Sequence, residues 1–398
     1  SLKQQSQLYR AHKCNVVRII LGKEKKSDNT FHNRYSRARK FLDNWISRGI
    51  LTRDKKPSVY IYEQSYNYEG EALRRNGFLA LLKIEPPDKG VILAHEKTFC
   101  KPKQDRLKLL KATESNLSPI FGLYSDRNFK ADRLLADYSK TKPDADFEFE
   151  EIRNRFWRID SLDFIQTLTK LLKKKRIFIA DGHHRYEAAY LYKKLTSEDK
   201  RVNPRRGRRV NADYVMMYFS NLASRGLKIL PTHRLIRNIP KAKLEELPLI
   251  LELHFTVSHV SSKRELFSIL KNASAGKHLF GLYLAGKGFY LLKLKHKKMP
   301  ETDSCYNDLD AVILHKLILH KLMGIKDDNT AAQNILYTRD EKNAIKLVDH
   351  KRYDCAFFLN PPRPNQISAI ACASRKMPHK STYFYPKPLS GLVINMLE

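Results

Sequence analysis

The pattern of apolar and polar positions divides the chain into three segments. In the first, residues 1–86, Phe41, Leu42, Trp45 and Ile46 recur at helical spacing. Two strand-like runs, PSVYIYEQSY and GFLALLKI, follow, and the turn sequence PPDKG ends the segment. We therefore predict a helix followed by two strands.

The second segment, residues 87–238, alternates between the two patterns. Short apolar runs predict strands at VILAH, PIFGLYSD and RIFIA. Amphipathic runs predict helices at DRLKLLKATESN, DFIQTLTKLLKKK and YEAAYLYKKLTSE. This order of strands and helices indicates an α/β arrangement.

The third segment, residues 239–398, is α+β in character. It opens with a strand at LHFTVSHV and a helix at SKRELFSILKNA, and a hairpin turned at AGKG follows. A long helix across LDAVILHKLILHKLMG precedes strands at NILYT and DCAFFLN, each followed by a helix. The chain as a whole is thus predicted to be a mixed α+β protein.

Charge adds a question to this picture. The chain has 398 residues, a hydrophobic content of 42% and a formal net charge of +33, which would attract nucleic acid or phosphorylated metabolites. The charge is spread out, with local runs at KKKR (173–176), RRGRR (205–209) and KLKHKK (293–298). We favour solvated faces and weak non-specific nucleic-acid binding over a dedicated surface, with RRGRR as the best candidate for contacts to a phosphate backbone.

Cysteine spacing and hydropathy indicate a cytoplasmic protein. The five cysteines lie far apart without a CxxC pair, which fits neither a zinc knuckle nor a secreted disulfide framework. The most apolar predicted helix does not suit a bilayer, because four polar side chains interrupt it. These are His315, Lys316, His320 and Lys321.

Candidate chemistry is concentrated in FIADGHHRYEAA, at a junction between a predicted strand and a predicted helix. We expect the helix to begin near His184 or Arg185, where the first backbone N–H groups and the Arg185 guanidinium would bind an anion. Gly182 would let the backbone approach that ligand, and Asp181 would hold a metal ion, orient a histidine or accept a hydrogen bond from substrate. His183 and His184 diverge by about 100° on a helix, so they are poor ligands for one metal. The alternative is a helix cap with satisfied polar side chains.

Other candidates lie at predicted element ends. Asp105 and Arg106 open a predicted helix, where Asp105 is either a cap or part of a site and Arg106 is a candidate phosphate or carboxylate clamp. His233 follows a predicted strand, although a histidine there is usually structural. Lys380 and Ser381 precede an aromatic strand and would contribute to a lid, unless sheet packing alone explains that segment.

The strand, the Asp-Gly-His-His-Arg turn and the helix carrying Ala188 and Ala189 resemble the signature of the ParB/sulfiredoxin-like fold. In sulfiredoxins a reactive cysteine stands where this chain has His183, so their thiol chemistry is not implied. The pentapeptide is closer to that of the ParB-like free serine kinases, which phosphorylate L-serine. This resemblance implies phosphate chemistry and a central domain of that fold across 87–238, flanked by α+β domains.

Five motifs in one order resemble the uncharacterised prokaryotic family called domain of unknown function 1015. The family's N-terminal Pro-Pro-Tyr-Asp segment is missing, so we expect the first domain, 1–86, to be truncated. The third domain would be 239–398. The motifs are HEKT (95–98), DRLKLLKATESNLSPIFGLY (105–124), ADGHHRYEAA (180–189), ILPTHRL (229–235) and MPHKSTYFYPKPLSGL (377–392).

The order of these motifs parallels that of the serine kinases, in which an acidic residue upstream of the phosphate turn is the general base. Glu96 takes that role here, beside His95, unless it only forms a surface ion pair. The resemblance implies ATP or ADP with Mg²⁺ and a small hydroxylated substrate of the serine type. Asp181 and His183 are the other catalytic candidates, and no protein-held metal is expected. A nucleotide-binding regulator and a ParB-like DNA-binding protein are the alternatives, although no helix-turn-helix pattern is visible.

Overall fold

The chain forms two compact units in a computed structural model. The first unit contains Ser1–Ala94, Thr98–Leu227 and Pro386–Glu398, and the second contains His95–Lys97 and Lys228–Tyr385. The RRGRR run and the end of KLKHKK lie outside the described residues. The structure describes residues 2–96, 100–198, 211–274, 276–295, 304–325, 334–373, 375–378 and 380–397.

The first unit is built around an eight-stranded mixed sheet. Its strands in chain order are β1 (Val59–Tyr68), β2 (Glu71–Lys83), β3 (Ile92–Ala94), β5 (Ile120–Tyr124), β6 (Ala145–Phe149), β7 (Ile152–Ile159), β8 (Ile177–Asp181) and β9 (Tyr214–Asn221), while β4 (Ser115–Asn116) lies outside this sheet. The order across the sheet is β3-β8-β5-β9-β2-β1-β7-β6. Only β3 with β8 and β5 with β9 run parallel among its described pairs. This mixed sheet agrees with the predicted α/β alternation of the second segment and with the predicted mixed α+β class of the chain.

Seven helices accompany this sheet in the described part of the first unit. They are α1 (Leu2–Ala11), α2 (Val17–Ile20), α3 (Arg34–Ser47), α4 (Cys100–Thr113), α5 (Lys130–Tyr138), α6 (Leu162–Leu172) and α7 (His183–Glu198). The predicted start of α4 at Asp105 is wrong by five residues. Asp105 instead lies inside the helix, where its carboxylate accepts hydrogen bonds from Arg34 and Tyr35.

The two faces of the sheet differ in chemistry because successive strand residues point to opposite sides. One face places Ile61, Phe78 and Trp157 in a core with residues of α5 and α6. The other carries Gln64 and Arg75, which are direct partners across β1 and β2. Strands β6 and β7 and helix α5 were absent from the sequence prediction, because β6 and β7 expose many of their charged residues at the sheet edge.

The second unit contains a six-stranded antiparallel sheet, in the order β12-β14-β13-β16-β11-β15. Its strands are β11 (His233–Ile236), β12 (Phe255–Val260), β13 (Leu279–Leu284), β14 (Gly288–Leu294), β15 (Ile335–Thr338) and β16 (Cys355–Phe358), with β10 (Lys228–Ile229) and β17 (Phe384–Tyr385) paired separately. The first unit's remaining strand, β18 (Asn395–Met396), pairs with β4.

Helices cover both faces of the second sheet, with separate apolar clusters on each side. Its helices are α8 (Lys241–Glu245), α9 (Leu247–Glu252), α10 (Lys263–Lys271), α11 (Ser304–Asn307), α12 (Asp310–Ile313), α13 (Glu341–Asp349) and α14 (Pro364–Cys372). The predicted long helix is present as α12 followed by a π-helix, Leu314–Leu322. Among the described residues, no helix is both long and apolar enough to cross a membrane.

The three-domain division of the sequence stays a prediction. Strands from segments 1–86 and 87–238 share the eight-stranded sheet. Most of 239–398 lies in the second unit, and Pro386–Glu398 returns to the first. This return brings the C-terminal segment onto the sheet face that carries Gln64, whose side-chain amide donates to the Lys387 carbonyl at 3.2 Å.

Candidate functional site

The Asp-Gly-His-His-Arg turn connects β8 directly to α7. The N–H groups of Arg185 and Tyr186 donate to the Gly182 carbonyl at 2.9 and 3.0 Å, so the helix begins at His183, one or two residues before the predicted start. Gly182 has φ +93°, a left-handed conformation that favours glycine. A Cβ atom there would lie 2.8 Å from Arg185 Nε. Glycine is therefore required for Arg185 to fold back over the turn.

Asp181 is held between two cations. Its carboxylate accepts a hydrogen bond from Arg185 Nη2 at 2.7 Å and another from Lys387 Nζ. Burial alone would raise the pKa of Asp181, but the charges and hydrogen bonds of Arg185 and Lys387 outweigh burial and lower it. The carboxylate thus stays ionised and fixes both cations at the helix N-terminus.

Cationic side chains outnumber carboxylates around this turn in the described part of the unit. Arg106 of α4 donates to the Ile20 carbonyl at 3.1 Å, and with Arg185 it lines a cavity of about 60 Å³. Lys103 Nζ lies 3.7 Å from Glu187 on α7. This positive field at a helix N-terminus suits a phosphate or a carboxylate.

The two adjacent histidines have different surroundings, as their divergence on a helix predicts. His183 is 5% exposed, whereas His184 is half-buried. Burial lowers the pKa of His184, and Arg106 and Lys103 lower it further against the opposing charge of Glu187. His184 is therefore neutral at neutral pH.

A second group of polar residues lies in the other unit and joins two of the sequence motifs. The buried ring of His95 has Nε2 3.1 Å from Thr382 Oγ1, and the Thr382 hydroxyl donates to Glu96 Oε1 at 3.2 Å. Met377 N donates to the His95 carbonyl at 2.7 Å, and Glu96 forms an isolated parallel bridge with Met377. Hydrogen bonds thus connect His95 and Glu96 of the HEKT motif to Met377 and Thr382 of the C-terminal motif.

Burial fixes the protonation of His95. The pKa of His95 is lowered to about 3 by burial and by the charge of Lys376. A neutral ring with its proton on Nε2 donates to Thr382 Oγ1, which leaves the Thr382 hydroxyl proton for Glu96. The three groups form a directed chain that ends on the Glu96 carboxylate.

The remaining predicted residues of this unit make contacts that account for them structurally. His233 is 1% exposed, its Nδ1 accepts from Leu359 N at 3.3 Å, and its ring packs against Phe358. Ser381 donates to the Pro378 carbonyl at 2.7 Å and stabilises the local turn. Lys380 has φ +52° and places Nζ 5.0 Å from the centroid of the Tyr337 ring.

Sequence reasoning did not select Lys387 or Thr382 as site residues. Lys387 stands 206 positions from Asp181 in an exposed position, and Thr382 stands 286 positions from Glu96. The C-terminal motif contains both residues, and that motif was the available signal. A larger cavity of about 1080 Å³ in the first unit contains none of the predicted site residues in its lining.

The family model described as "Protein of unknown function (DUF1015)" matches residues 1–312. The chain belongs to the DUF1015 family. The predicted family is thereby confirmed, and four of the five motifs lie within the matched residues. None of the curated proteins matches this DUF1015 chain.

Several solved structures resemble this DUF1015 protein distantly. A conserved hypothetical protein from Pyrococcus furiosus has a TM-score of 0.40 and 11% identity, covering 80% of this chain and 95% of its own. A free serine kinase in complex with AMP has a TM-score of 0.41 and 10% identity, covering 80% and 92%. SbnI with C-terminal truncation, from Staphylococcus aureus, has a TM-score of 0.41 and 11% identity, covering 80% and 87%. At TM-scores this low, the structural similarity gives no information about the chemistry of this protein.

Among the described residues, no group of three or more His, Cys, Asp or Glu side chains could hold a metal ion. Both cations on Asp181 would compete with Mg²⁺ for its oxygens. Mg²⁺ usually keeps several waters and binds through one or two carboxylates plus substrate phosphates. The residues therefore fit a phosphate anion better than a bare divalent ion.

Proposed function

We propose that this protein binds the phosphates of ATP or ADP at the Asp181–Arg185 turn and transfers a phosphoryl group to a small hydroxylated metabolite of the serine type. The observation that carries the proposal is the pairing of Asp181 with Arg185 and Lys387 at the N-terminus of α7. An anion at this position gains from the helix dipole and from two charge-assisted hydrogen bonds. The motif's resemblance to that of the free serine kinases supports phosphate as that anion.

In this proposal each residue of the turn has a separate task. Gly182 permits the close approach of backbone to phosphate, and Arg185 and Lys387 neutralise phosphate charge. Arg106 extends the positive surface, and His183 and His184 donate hydrogen bonds. Asp181 holds the two cations in place, and Mg²⁺ arrives with the nucleotide.

Glu96 is proposed as the general base. Its carboxylate would take the proton of the substrate hydroxyl while the hydroxyl oxygen bonds to the terminal phosphorus. The bond from that phosphorus to the leaving phosphate oxygen breaks, which produces ADP from ATP or AMP from ADP. Thr382 and His95 would orient Glu96 for this step, and Lys380, Ser381 and His233 would support the surrounding structure.

We expect two substitutions to affect different quantities, one the affinity for nucleotide and the other the turnover. Arg185→Ala should weaken binding of ATP and ADP by about 10-fold or more, because it removes a clamp present in both ground and transition states. Glu96→Gln should leave nucleotide binding intact and lower turnover about 10²- to 10⁴-fold, since an amide accepts no proton. Calorimetric titration measures the first effect, and phosphoserine formation from L-serine measures the second.

A matched control for the arginine is Arg225→Ala, because Arg225 is 92% exposed and lies in the same unit. It should bind nucleotide like the unmodified chain. If the unmodified protein binds neither ATP nor ADP, the phosphotransfer proposal fails. If it binds nucleotide but Glu96→Gln forms phosphoserine at the unmodified rate, nucleotide binding survives and a regulatory role without transfer replaces the kinase.

A further inference from the structure

Arg75 occupies an unusual position on the polar face of the eight-stranded sheet. It stands in β2 directly opposite Gln64 of β1, and its residue exposure is 0%. Its guanidinium lies over the Phe121 ring at 4.7 Å and the Tyr218 ring at 5.3 Å. Phe121 is the strand partner of Asp181, so the arginine borders the turn described above.

The guanidinium is largely unsatisfied. Its Nη2 donates to Gln64 Oε1 and the Tyr218 hydroxyl also interacts with the guanidinium, whereas Nε and Nη1 have no hydrogen-bond partner among the described residues. A guanidinium carries five N–H donors in two fork-shaped edges that share Nη2. One acceptor on Nη2 occupies one edge, so the other edge keeps two donors for a planar, bidentate anion.

No carboxylate within the described ranges compensates this buried charge. Glu63 projects from the other face of β1 and pairs with Arg155 and Arg74. Asp181 is already shared by Arg185 and Lys387. An arginine does not shed its proton, and an unpaired charge in the interior is costly. The arginine is thus arranged for an anion that the described residues do not supply.

The groups around Arg75 are neutral hydrogen-bonding side chains that hold its environment in place. Asn154 Oδ1 accepts from Tyr62 at 2.6 Å and from Gln64 at 3.3 Å. Gln64 also donates to the carbonyl of Lys387, whose ammonium reaches Asp181. A continuous set of contacts therefore runs from Arg75 through Gln64 and Lys387 to the phosphate turn.

We propose that Arg75 is the receptor for the carboxylate of a small hydroxy or amino acid, with the open edge of its guanidinium binding both carboxylate oxygens. This inference rests on the proposed function for the role of that acid as phosphoryl acceptor. Phosphate is already accommodated by Arg185 and Lys387 at the helix N-terminus, and the planar fork of Arg75 matches a carboxylate. The substrate is thereby a 2-amino or 2-hydroxy carboxylate whose hydroxyl is free to react.

The experiment compares acids with their counterparts that lack the carboxylate. L-serine and D-glycerate should bind the full chain and raise its Tm, whereas ethanolamine and ethylene glycol should do neither. Arg75→Met should weaken binding of both acids about 10- to 100-fold, because it removes hydrogen bonds to a charged group. It should also raise the Tm of the unliganded protein, since it removes an uncompensated buried charge.

Two further variants serve as controls for Arg75→Met. Arg75→Lys retains the charge but loses the fork, so it should fold and still lose most of the affinity for both acids. Arg74→Met is the matched control, because Arg74 is 59% exposed and pairs with Glu63 at 3.7 Å. It should bind both acids normally.

Measuring ADP binding tests the role of Arg75 independently of the proposed phosphotransfer. Arg75→Met should bind ADP like the unmodified chain if phosphate and carboxylate have separate receptors. If the unmodified chain does not bind ADP, the phosphotransfer proposal fails. The result for carboxylate binding at Arg75 is then unaffected. The inference is overturned if neither acid binds the unmodified chain, or if Arg75→Lys binds both acids with unmodified affinity.

Discussion

A single hydroxyl group, that of Thr382, connects the neutral ring of His95 to the carboxylate of Glu96. The two contacts are 3.1 and 3.2 Å long, and the hydroxyl has one proton to donate. Because the Thr382 hydroxyl donates its proton to Glu96, the neutral His95 ring carries its proton on Nε2 and donates to Thr382 Oγ1. Thr382 therefore restricts the orientation of a carboxylate that is otherwise only partly buried.

Thr382→Val tests this positioning role. The substitution keeps the branched shape but removes the hydroxyl, so Glu96 loses its orienting donor and the buried His95 ring loses this hydrogen bond. If Glu96 is the base, turnover should fall about 10-fold while nucleotide affinity stays near its unmodified value, and Tm should fall because a buried hydrogen bond is lost. Thr382→Ser restores a hydroxyl and should restore most of the turnover. Equal rates for Thr382→Val and the unmodified enzyme would remove Thr382 from the site.

At the scale of elements, the second unit contains two histidines buried in neutral form at or near strand ends. His233 begins β11, and His95 follows the last residue of β3. Burial lowers the pKa of each to about 3, with added effects from Arg234 and Lys376 respectively. In the unfolded chain both would titrate near their usual value of about 6.5.

Acid should therefore destabilise this unit in a defined range. Each folded-state pKa is depressed, so the unfolded chain binds more protons below about pH 6.5, and stability falls as pH decreases toward about 3. Each histidine contributes a loss of about 1.4 kcal/mol per pH unit, or about 2 kcal/mol by pH 5. Urea denaturation followed by circular dichroism between about pH 7.5 and 5 measures the slope.

The slope of the unfolding free energy against pH distinguishes a buried histidine from an exposed one. His233→Gln should lower the pH dependence by close to one proton, whatever its effect on stability at pH 7.5. His259→Gln, at an exposed position of β12, should leave the slope unchanged. A slope that His233→Gln does not alter would show that the ring titrates normally in the folded protein.

At the scale of the whole molecule, a net charge of +33 dominates long-range interactions. The described ion pairs occupy many Lys and Arg side chains individually, but lysines and arginines still outnumber acidic residues by 75 to 42. Scattered cations release counterions from any polyanion without reading its sequence. The charge therefore predicts weak, sequence-independent contact with nucleic acid, separate from the Asp181–Arg185 turn.

Fluorescence anisotropy with a labelled duplex tests this expectation. Affinity should fall more than 10-fold between about 50 and 200 mM salt, and a scrambled duplex of equal length should bind as well as the original. Arg185→Ala should have little effect, since one cation of many is removed. Much tighter binding to one sequence at physiological salt would favour a ParB-like DNA-binding role.

Local sequence determined much of the first candidate site. The apolar run RIFIA, the glycine at position 182 and the amphipathic run after it specify a strand, a turn and a helix within about 20 consecutive residues. The start of α7 was predicted from those residues to within one or two positions. Most strands and helices of the second unit were predicted for the same reason, since their periodicity is local.

Tertiary structure alone decided which distant side chains meet. Lys387 reaches Asp181 because Pro386–Glu398 belongs to the first unit, and Thr382 meets Glu96 because His95–Lys97 belongs to the second. No local pattern encodes either path. The predicted strand began at Gly77 and excluded the polar residues before it, whereas β2 begins at Glu71 and buries Arg75. Sequence favours exposure for such a residue, because an arginine is almost never buried without a partner. Pairing of β2 with β1 and β9 places it in the interior, where we propose that the carboxylate of a ligand compensates its charge.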